Sequence, residues 1–355
     1  MSGPIDLKPE RVIQELIGLG ERLRRGAQQL RQLPEVQVGV SDKEVIDGED
    51  KMRLYRFVSA TKITRKTPIL IVYALVNRPY MVDLQEDRSI VKSLLAAGHD
   101  VYLIDWGYPD ASDRYMTLDD YISGLIRRSV GAVSRRYGGK PVNLLGICQG
   151  GAFSVCYTSL YPESVKNLIT MVTPIDFHTA DNMLSNWTQQ MDVDLLVDTL
   201  GNIPADLMNW CYLTLKPYRL LQQKYVGLTD ILDNPTELAN FLRMEKWIFD
   251  SPDQAGEAFR QFIKDFYQAN KLKNGGLVIG GKAIEPKRIT MPVLNIFAEQ
   301  DHLVPPAASR ALKGIIGSRD YSEISFRGGH IGIYVSGRAQ REIPPAIDHW
   351  LRQRE

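Results

Sequence analysis

The stretch Gly146-Ile147-Cys148-Gln149-Gly150-Gly151 constrains this chain more than any other, because it sets a thiol in a glycine-flanked turn between an apolar strand pattern and a helical one. Val142-Asn143-Leu144-Leu145 ahead of it reads as a short buried strand. Ala152-Phe153-Ser154-Val155-Cys156-Tyr157 behind it continues as a helix. A strand-to-helix turn this sharp crowds the backbone, so residues without a Cβ beside Cys148 permit both the strained bend and close helix packing. The pattern is the nucleophile elbow G-x-S-x-G with sulfur in place of the serine oxygen. Taken alone, the same residues also describe a buried cysteine in a glycine-rich turn.

Two later segments supply what a nucleophile needs. Pro292-Val293-Leu294-Asn295-Ile296-Phe297 reads as a strand that runs into the polar loop Ala298 to Pro306, where Asp301 sits just past the strand end. Tyr321-Ser322-Glu323-Ile324-Ser325-Phe326 alternates like a last strand, and Arg327-Gly328-Gly329-His330 follows it with a histidine in a glycine-rich loop. The order nucleophile, acid, histidine is that of the α/β-hydrolases. His302, next to Asp301, is an auxiliary candidate for the base, ranked behind His330 because neighbours on an extended loop point apart.

At 355 residues, 44% hydrophobic and 24% charged, the chain can bury a full core and carry one large domain with an insertion. A formal net charge of +1 gives no electrostatic case for nucleic acid. The N-terminus has no basic stretch followed by an apolar core, and the longest apolar run, Ile69 to Val76, is too short to span a bilayer. A cytoplasmic location is expected. Cys148, Cys156 and Cys211 show no metal-ligand spacing and are expected to be free thiols, with no metal site.

Strand and helix signals alternate along most of the chain. Apolar positions at helical spacing over Pro9 to Leu33 predict an N-terminal helical segment within residues 1–40. Glu44-Val45-Ile46 and Met52 to Arg56 predict a hairpin around Asp47-Gly48-Glu49-Asp50, Pro68 to Val76 a buried strand, and Asp87 to Ala97 a helix stopped by Gly98. Thr117 and Asp120 form a capping-box pair before an amphipathic helix. The alternation breaks between about Phe177 and Pro286, where helical patterns over Asp194–Leu200, Thr236–Met244 and Gln254–Tyr267 carry dense aromatics. Those aromatics either form ordinary core or shape an acyl pocket. The fold class expected is α/β: an α/β-hydrolase fold with a mostly parallel sheet, helices on both faces and an inserted helical cap. Residues 41–176 and 286–355 would form the core, and 177–285 the cap.

The thiol directs the chemistry. A helix N-terminus and a neighbouring imidazole both favour the thiolate, and His330 is the expected base. Attack on a carbonyl creates an oxyanion, for which the fold offers the backbone N–H groups of Gln149 and, after the Ile69–Val76 strand, Val76. Sulfur at the elbow points to a thioester substrate, because thiol-to-thioester exchange is nearly thermoneutral and keeps the acyl group activated for a second transfer. An acyltransferase gains from that; a hydrolase does not.

Four segments carry a more specific resemblance: the elbow itself, Tyr73-Ala74-Leu75-Val76-Asn77-Arg78-Pro79-Tyr80, Leu103-Ile104-Asp105-Trp106-Gly107 and Gly328-Gly329-His330-Ile331-Gly332. Over nearly its whole length the chain resembles polyhydroxyalkanoate synthases, and its length resembles that of the two-component class III type. The resemblance implies polymerisation of (R)-3-hydroxyacyl-CoA, chiefly 3-hydroxybutyryl-CoA, into polyester with release of coenzyme A. It implies Cys148 as the acyl-carrying nucleophile, His330 as general base and Asp301 as the acid that helps activate the chain-extending hydroxyl. It further implies an E-type partner subunit, a homodimer within a hetero-oligomer, attachment to the surface of polyester granules, and no cofactor beyond the coenzyme A of the substrate. The alternatives are a cysteine-dependent ester or lactone hydrolase on the same fold and a non-catalytic granule-associated protein.

Overall fold

Apolar runs separated by turns build an eight-stranded sheet in the computed structural model, which describes residues 35–215 and 224–355 together with Gln14, Ile17, Gly18 and Arg24. The helix expected over Pro9–Leu33 lies, apart from those four positions, outside the described residues. The strands are β1 (Lys43–Glu49), β2 (Met52–Phe57), β3 (Ile69–Val72), β4 (Val101–Asp105), β5 (Val142–Ile147), β6 (Val165–Met171), β7 (Val293–Ala298) and β8 (Tyr321–Phe326). Their spatial order is β1-β2-β4-β3-β5-β6-β7-β8. From β4 to β8 every pairing is parallel. Within this sheet, only β1 with β2 and β2 with β4 run antiparallel. Every residue of β3, β5 and β7 is buried, as a parallel sheet covered on both faces requires.

Several boundaries differ from the sequence expectation for identifiable reasons. The hairpin turns at Asp50-Lys51, with Glu49 opposite Met52, and Asp47 to Glu49 stay in β1, where Arg128 pairs with both Asp47 (2.9 Å) and Glu49 (2.8 Å). Strand β3 stops at Val72 instead of Val76, because beyond it backbone groups bond to side chains and not to a neighbouring strand: Trp106 Nε1 donates to the Tyr73 carbonyl at 3.0 Å. The helix expected from Asp87 begins at Ile90 (α1, Ile90–Ala96), since Arg88-Ser89 pairs with Asp83–Gln85 and the Ser89 hydroxyl then caps the Lys92 N–H at 2.9 Å. Gly98, at φ +87°, follows its end. Asp120 accepts the Thr117 N–H at 2.7 Å while its own N–H reaches Thr117 Oγ1 at 3.3 Å, and a π-helical stretch, Asp120–Ile126, runs on into α2 (Arg127–Arg136).

Helix α3 (Gln149–Leu160) follows the elbow and is buried along its whole length. Phe153 on α3 meets Phe262 edge to face at 5.8 Å, and Phe177 meets Phe262 and Phe266 at 5.9 and 5.8 Å, so these aromatics of the expected cap belong to the central core. The helix expected from Gln254 begins at Gly256, because the Gln254 backbone exchanges two 2.9 Å hydrogen bonds with Ile203.

The chain forms two compact units. One comprises Val38–Met208 and Asp250–Glu355 and contains the sheet. The other gathers Asn209–Phe249 with the described residues up to Gln37. In it helices Lys224–Ile231 and Pro235–Phe249 pack together, Arg243 donates to the Gln37 carbonyl at 3.1 Å and Lys246 pairs with Glu35 at 2.9 Å. Among the described residues no helix is long and apolar enough to cross a membrane.

Candidate active site

Three loops at the carboxyl ends of β5, β7 and β8 bring the sequence-predicted triad together. Cys148 occupies the turn between β5 and α3 at φ 54°, ψ −124°, a strained conformation for a residue with a Cβ. Its N–H is anchored on the Met171 carbonyl at 2.9 Å. The neighbouring glycines are a matter of space: a Cβ on Gly150 would lie 2.3 Å from the Val72 carbonyl oxygen, and one on Gly151 only 1.8 Å from Thr173 Oγ1. Gly151→Ala should therefore push α3 off the sheet and destabilise the fold by about 1–3 kcal/mol. Urea denaturation would measure this, and a wild-type midpoint would show that Thr173 yields without cost.

Asp301, beyond β7, divides its two oxygens between two tasks. Oδ1 accepts the backbone N–H groups of Leu303 and Val304, each at 2.9 Å, which fixes the carboxylate. Oδ2 faces His330 Nδ1 at 2.6 Å. With Nδ1 committed to Asp301, the other ring nitrogen is the one left for Cys148, which is close enough to act on the charge of the imidazole. Burial disfavours a charge on His330, but the Asp301 carboxylate and the Cys148 sulfur, by charge and by hydrogen bond, outweigh it and push the imidazole from 6.5 up to about 10. His302 is half-buried on the same loop. His178 and His349 are exposed, while buried His99 bonds Asp348 at 3.0 Å.

The two N–H groups expected to receive an oxyanion lie on segments tied to each other. Gln149 is the first residue of α3, so its N–H has no carbonyl one turn back in the helix. The Val76 N–H meets no acceptor among the described residues. Between them, Gln149 Oε1 accepts the Leu75 N–H at 3.0 Å, so the residue after the nucleophile holds the loop after β3.

Comparison with known proteins places this geometry in a family. A family model described as the α/β-hydrolase fold matches residues 67–336. The poly(3-hydroxyalkanoate) polymerase subunit PhaC of Allochromatium vinosum is 59% identical over 353 residues, covering 99% of each chain. That of Thiocystis violacea is 58% identical over 352 residues with the same coverage. The chain belongs to the poly(3-hydroxyalkanoate) polymerase family. It is an acyltransferase of the α/β-hydrolase superfamily. A monoacylglycerol lipase of Paleococcus ferrophilus, 16% identical, shares the fold with a TM-score of 0.50 over 85% of this chain and 99% of its own.

Around the sulfur of this polymerase-family chain stand groups that sequence reading did not single out. Tyr73 and Tyr334 are both buried, and burial pushes both phenols well up, with Cys148 among the neighbours that add to it. The Tyr334 ring meets His330 edge-on at 6.2 Å, and its hydroxyl has no hydrogen-bond partner among the described residues. Tyr334 lies one helical turn beyond His330, the only signal that could have flagged it. Cys156, by contrast, is fully buried on α3, and burial raises its thiol far above the range of a nucleophile.

Proposed function

We propose that this chain is the catalytic subunit of a class III polyhydroxyalkanoate synthase that polymerises (R)-3-hydroxyacyl-CoA, chiefly 3-hydroxybutyryl-CoA, through a covalent thioester on Cys148. The observation that carries the reading is the convergence of Asp301, His330 and Cys148, with His330 Nδ1 held by Asp301 Oδ2 at 2.6 Å and the imidazole raised by both Asp301 and Cys148. Cys148 Sγ attacks the thioester carbonyl with its proton on His330, and the oxyanion is received by the Val76 and Gln149 N–H groups. Collapse breaks the bond to the coenzyme A sulfur, which leaves with the proton from His330. Acylation also ties up the Cys148 sulfur, one of the two neighbours that raise the imidazole. The ring is then neutral and able to deprotonate the hydroxyl of an incoming unit, with Asp301 orienting it, and that oxygen attacks the Cys148 thioester to lengthen the chain.

Coenzyme A enters with the substrate and leaves as product, so the cycle calls for no further cofactor. An E-type partner subunit, a homodimer within the hetero-oligomer and a cytoplasmic place at the surface of polyester granules complete the reading. The names of the Allochromatium and Thiocystis relatives, each a polymerase subunit, support the polymerase part of the reading. The test mixes purified chain with 3-hydroxybutyryl-CoA, with and without an E-type subunit, and follows thiol release together with turbidity. Thiol release coupled to insoluble polyester is expected. Release of free hydroxyacid without polymer would make the chain a hydrolase, and no thiol release in either arm would leave it non-catalytic.

A further inference from the structure

The loop that carries the Val76 N–H is held from two sides, and only one of them is the elbow. Gln149 Oε1 takes the Leu75 N–H at 3.0 Å. On the other side Gln254 Nε2 donates to the Leu75 carbonyl at 3.1 Å. That carbonyl and the Val76 N–H are the two ends of one planar trans peptide, so an anchor on the oxygen fixes the direction in which the N–H points.

Gln254 is built for a fixed position. It is 4% exposed, and both of its backbone polar groups are bonded to Ile203 at 2.9 Å. Its side-chain nitrogen spends its second proton on the Pro252 carbonyl at 3.3 Å. The segment around it grips the same loop elsewhere: the Asn77 amide donates to Ser251 Oγ and the Tyr80 hydroxyl to Asp250 Oδ2 at 3.0 Å, while Tyr108, on the loop after β4, donates to the other oxygen of Asp250. Leu75 to Tyr80 is thus moored along Asp250 to Gln254, and Gln254 is the mooring that falls on the peptide of the Val76 N–H.

We propose that Gln254 is a positioning residue of the oxyanion hole, fixing the Val76 N–H by holding the Leu75 carbonyl. The proposal rests on the reading above, in which Cys148 is acylated and Val76 and Gln149 receive the oxyanion. Gln254 touches no reacting atom. Its role is to keep the donor preorganised, so its loss should be felt only in steps where negative charge develops on a carbonyl oxygen.

Two reactions of the same sulfur separate these steps. Alkylation of Cys148 by iodoacetamide needs the thiolate but passes through no oxyanion, whereas first-turnover acylation by 3-hydroxybutyryl-CoA needs both. In the full-length chain, Gln254→Met, close in size but without the donor, should slow acylation about 10- to 100-fold while alkylation stays within about twofold of wild type. Equal slowing of both reactions would reduce Gln254 to a structural support, and unchanged acylation would remove its role; either overturns the proposal. Gln254→Glu provides a second reading should the methionine variant fail to fold. An ionised carboxylate repels the Leu75 carbonyl and a protonated one donates to it, so the acylation rate relative to wild type should rise as pH is lowered. A ratio independent of pH would count against the proposal. Failure of the underlying reading registers separately, as coenzyme A release that survives Cys148→Ala.

Discussion

Cys148→Ala should release no coenzyme A from 3-hydroxybutyryl-CoA and form no polyester, a loss of at least about 10⁴-fold in turnover followed by free-thiol titration and turbidity. The size follows from the site having one reactive sulfur. Cys156, also on the elbow side of the sheet, is sealed in the core, and neither His330 nor Asp301 can form the covalent intermediate in its place. Folding should be unaffected, because the turn is held by the Cys148 N–H on Met171 and by glycine packing rather than by the sulfur. Cys148→Ser is the sharper variant. An oxygen nucleophile is far less acidic, and its acyl ester is a poorer donor than a thioester, so any acylation should end in a single slow turnover without elongation. Sustained polymer synthesis by either variant would show that acyl transfer does not pass through residue 148.

The elbow, the two loops and the triad order were legible because each depends on local pattern. Val142 to Ile147 is apolar because β5 is buried on both faces, and the glycines follow Cys148 because α3 approaches Val72 and Thr173 too closely for a side chain. Asp301 and His330 stand just after strands that alternate or run apolar, so their placement follows once the strands are found. What local pattern does not encode is where a strand stops being a strand. Tyr73-Ala74-Leu75-Val76 is as apolar as Ile69 to Val72, yet its peptide groups are taken by Trp106, Gln149 and Gln254. Gln254 lies 179 positions from Leu75, and a buried glutamine within a helical pattern carries no sign of which peptide it will reach. Tyr73 and Tyr334 were hidden for the opposite reason, since a buried aromatic reads as ordinary core whether or not its hydroxyl faces a nucleophile. The division of the region after β6 between two compact units was likewise invisible, because amphipathic helices declare an apolar face but not the body it joins.

Asp301→Asn should slow chain elongation by about 10³- to 10⁴-fold but first acylation by only about 10- to 100-fold, measured as multiple-turnover and first-turnover coenzyme A release. The asymmetry comes from what each step asks of His330. In the variant the amide oxygen can still accept the Leu303 and Val304 N–H groups, which turns its NH₂ toward His330 Nδ1. Nδ1 must then accept, the proton moves to the other ring nitrogen, and the imidazole presents a donor where a base is needed. A thiol is acidic enough to lose part of its proton without that base, whereas the hydroxyl of an incoming unit is not. Equal slowing of the two steps would contradict this division. The same substitution should flatten the dependence of stability on pH. In the wild type the imidazole is raised from 6.5 to about 10, against its burial, by Asp301 and Cys148. A raised group stabilises the fold fully below its unfolded value and loses that contribution as pH climbs through its folded value, here between about 6.5 and about 10. With the carboxylate gone, the variant has less to lose across that window, a difference on the order of a few kcal/mol that thermal melts over a pH series would resolve. Parallel melting curves for the two proteins from neutral to alkaline pH would mean that Asp301 does not hold the proton on His330.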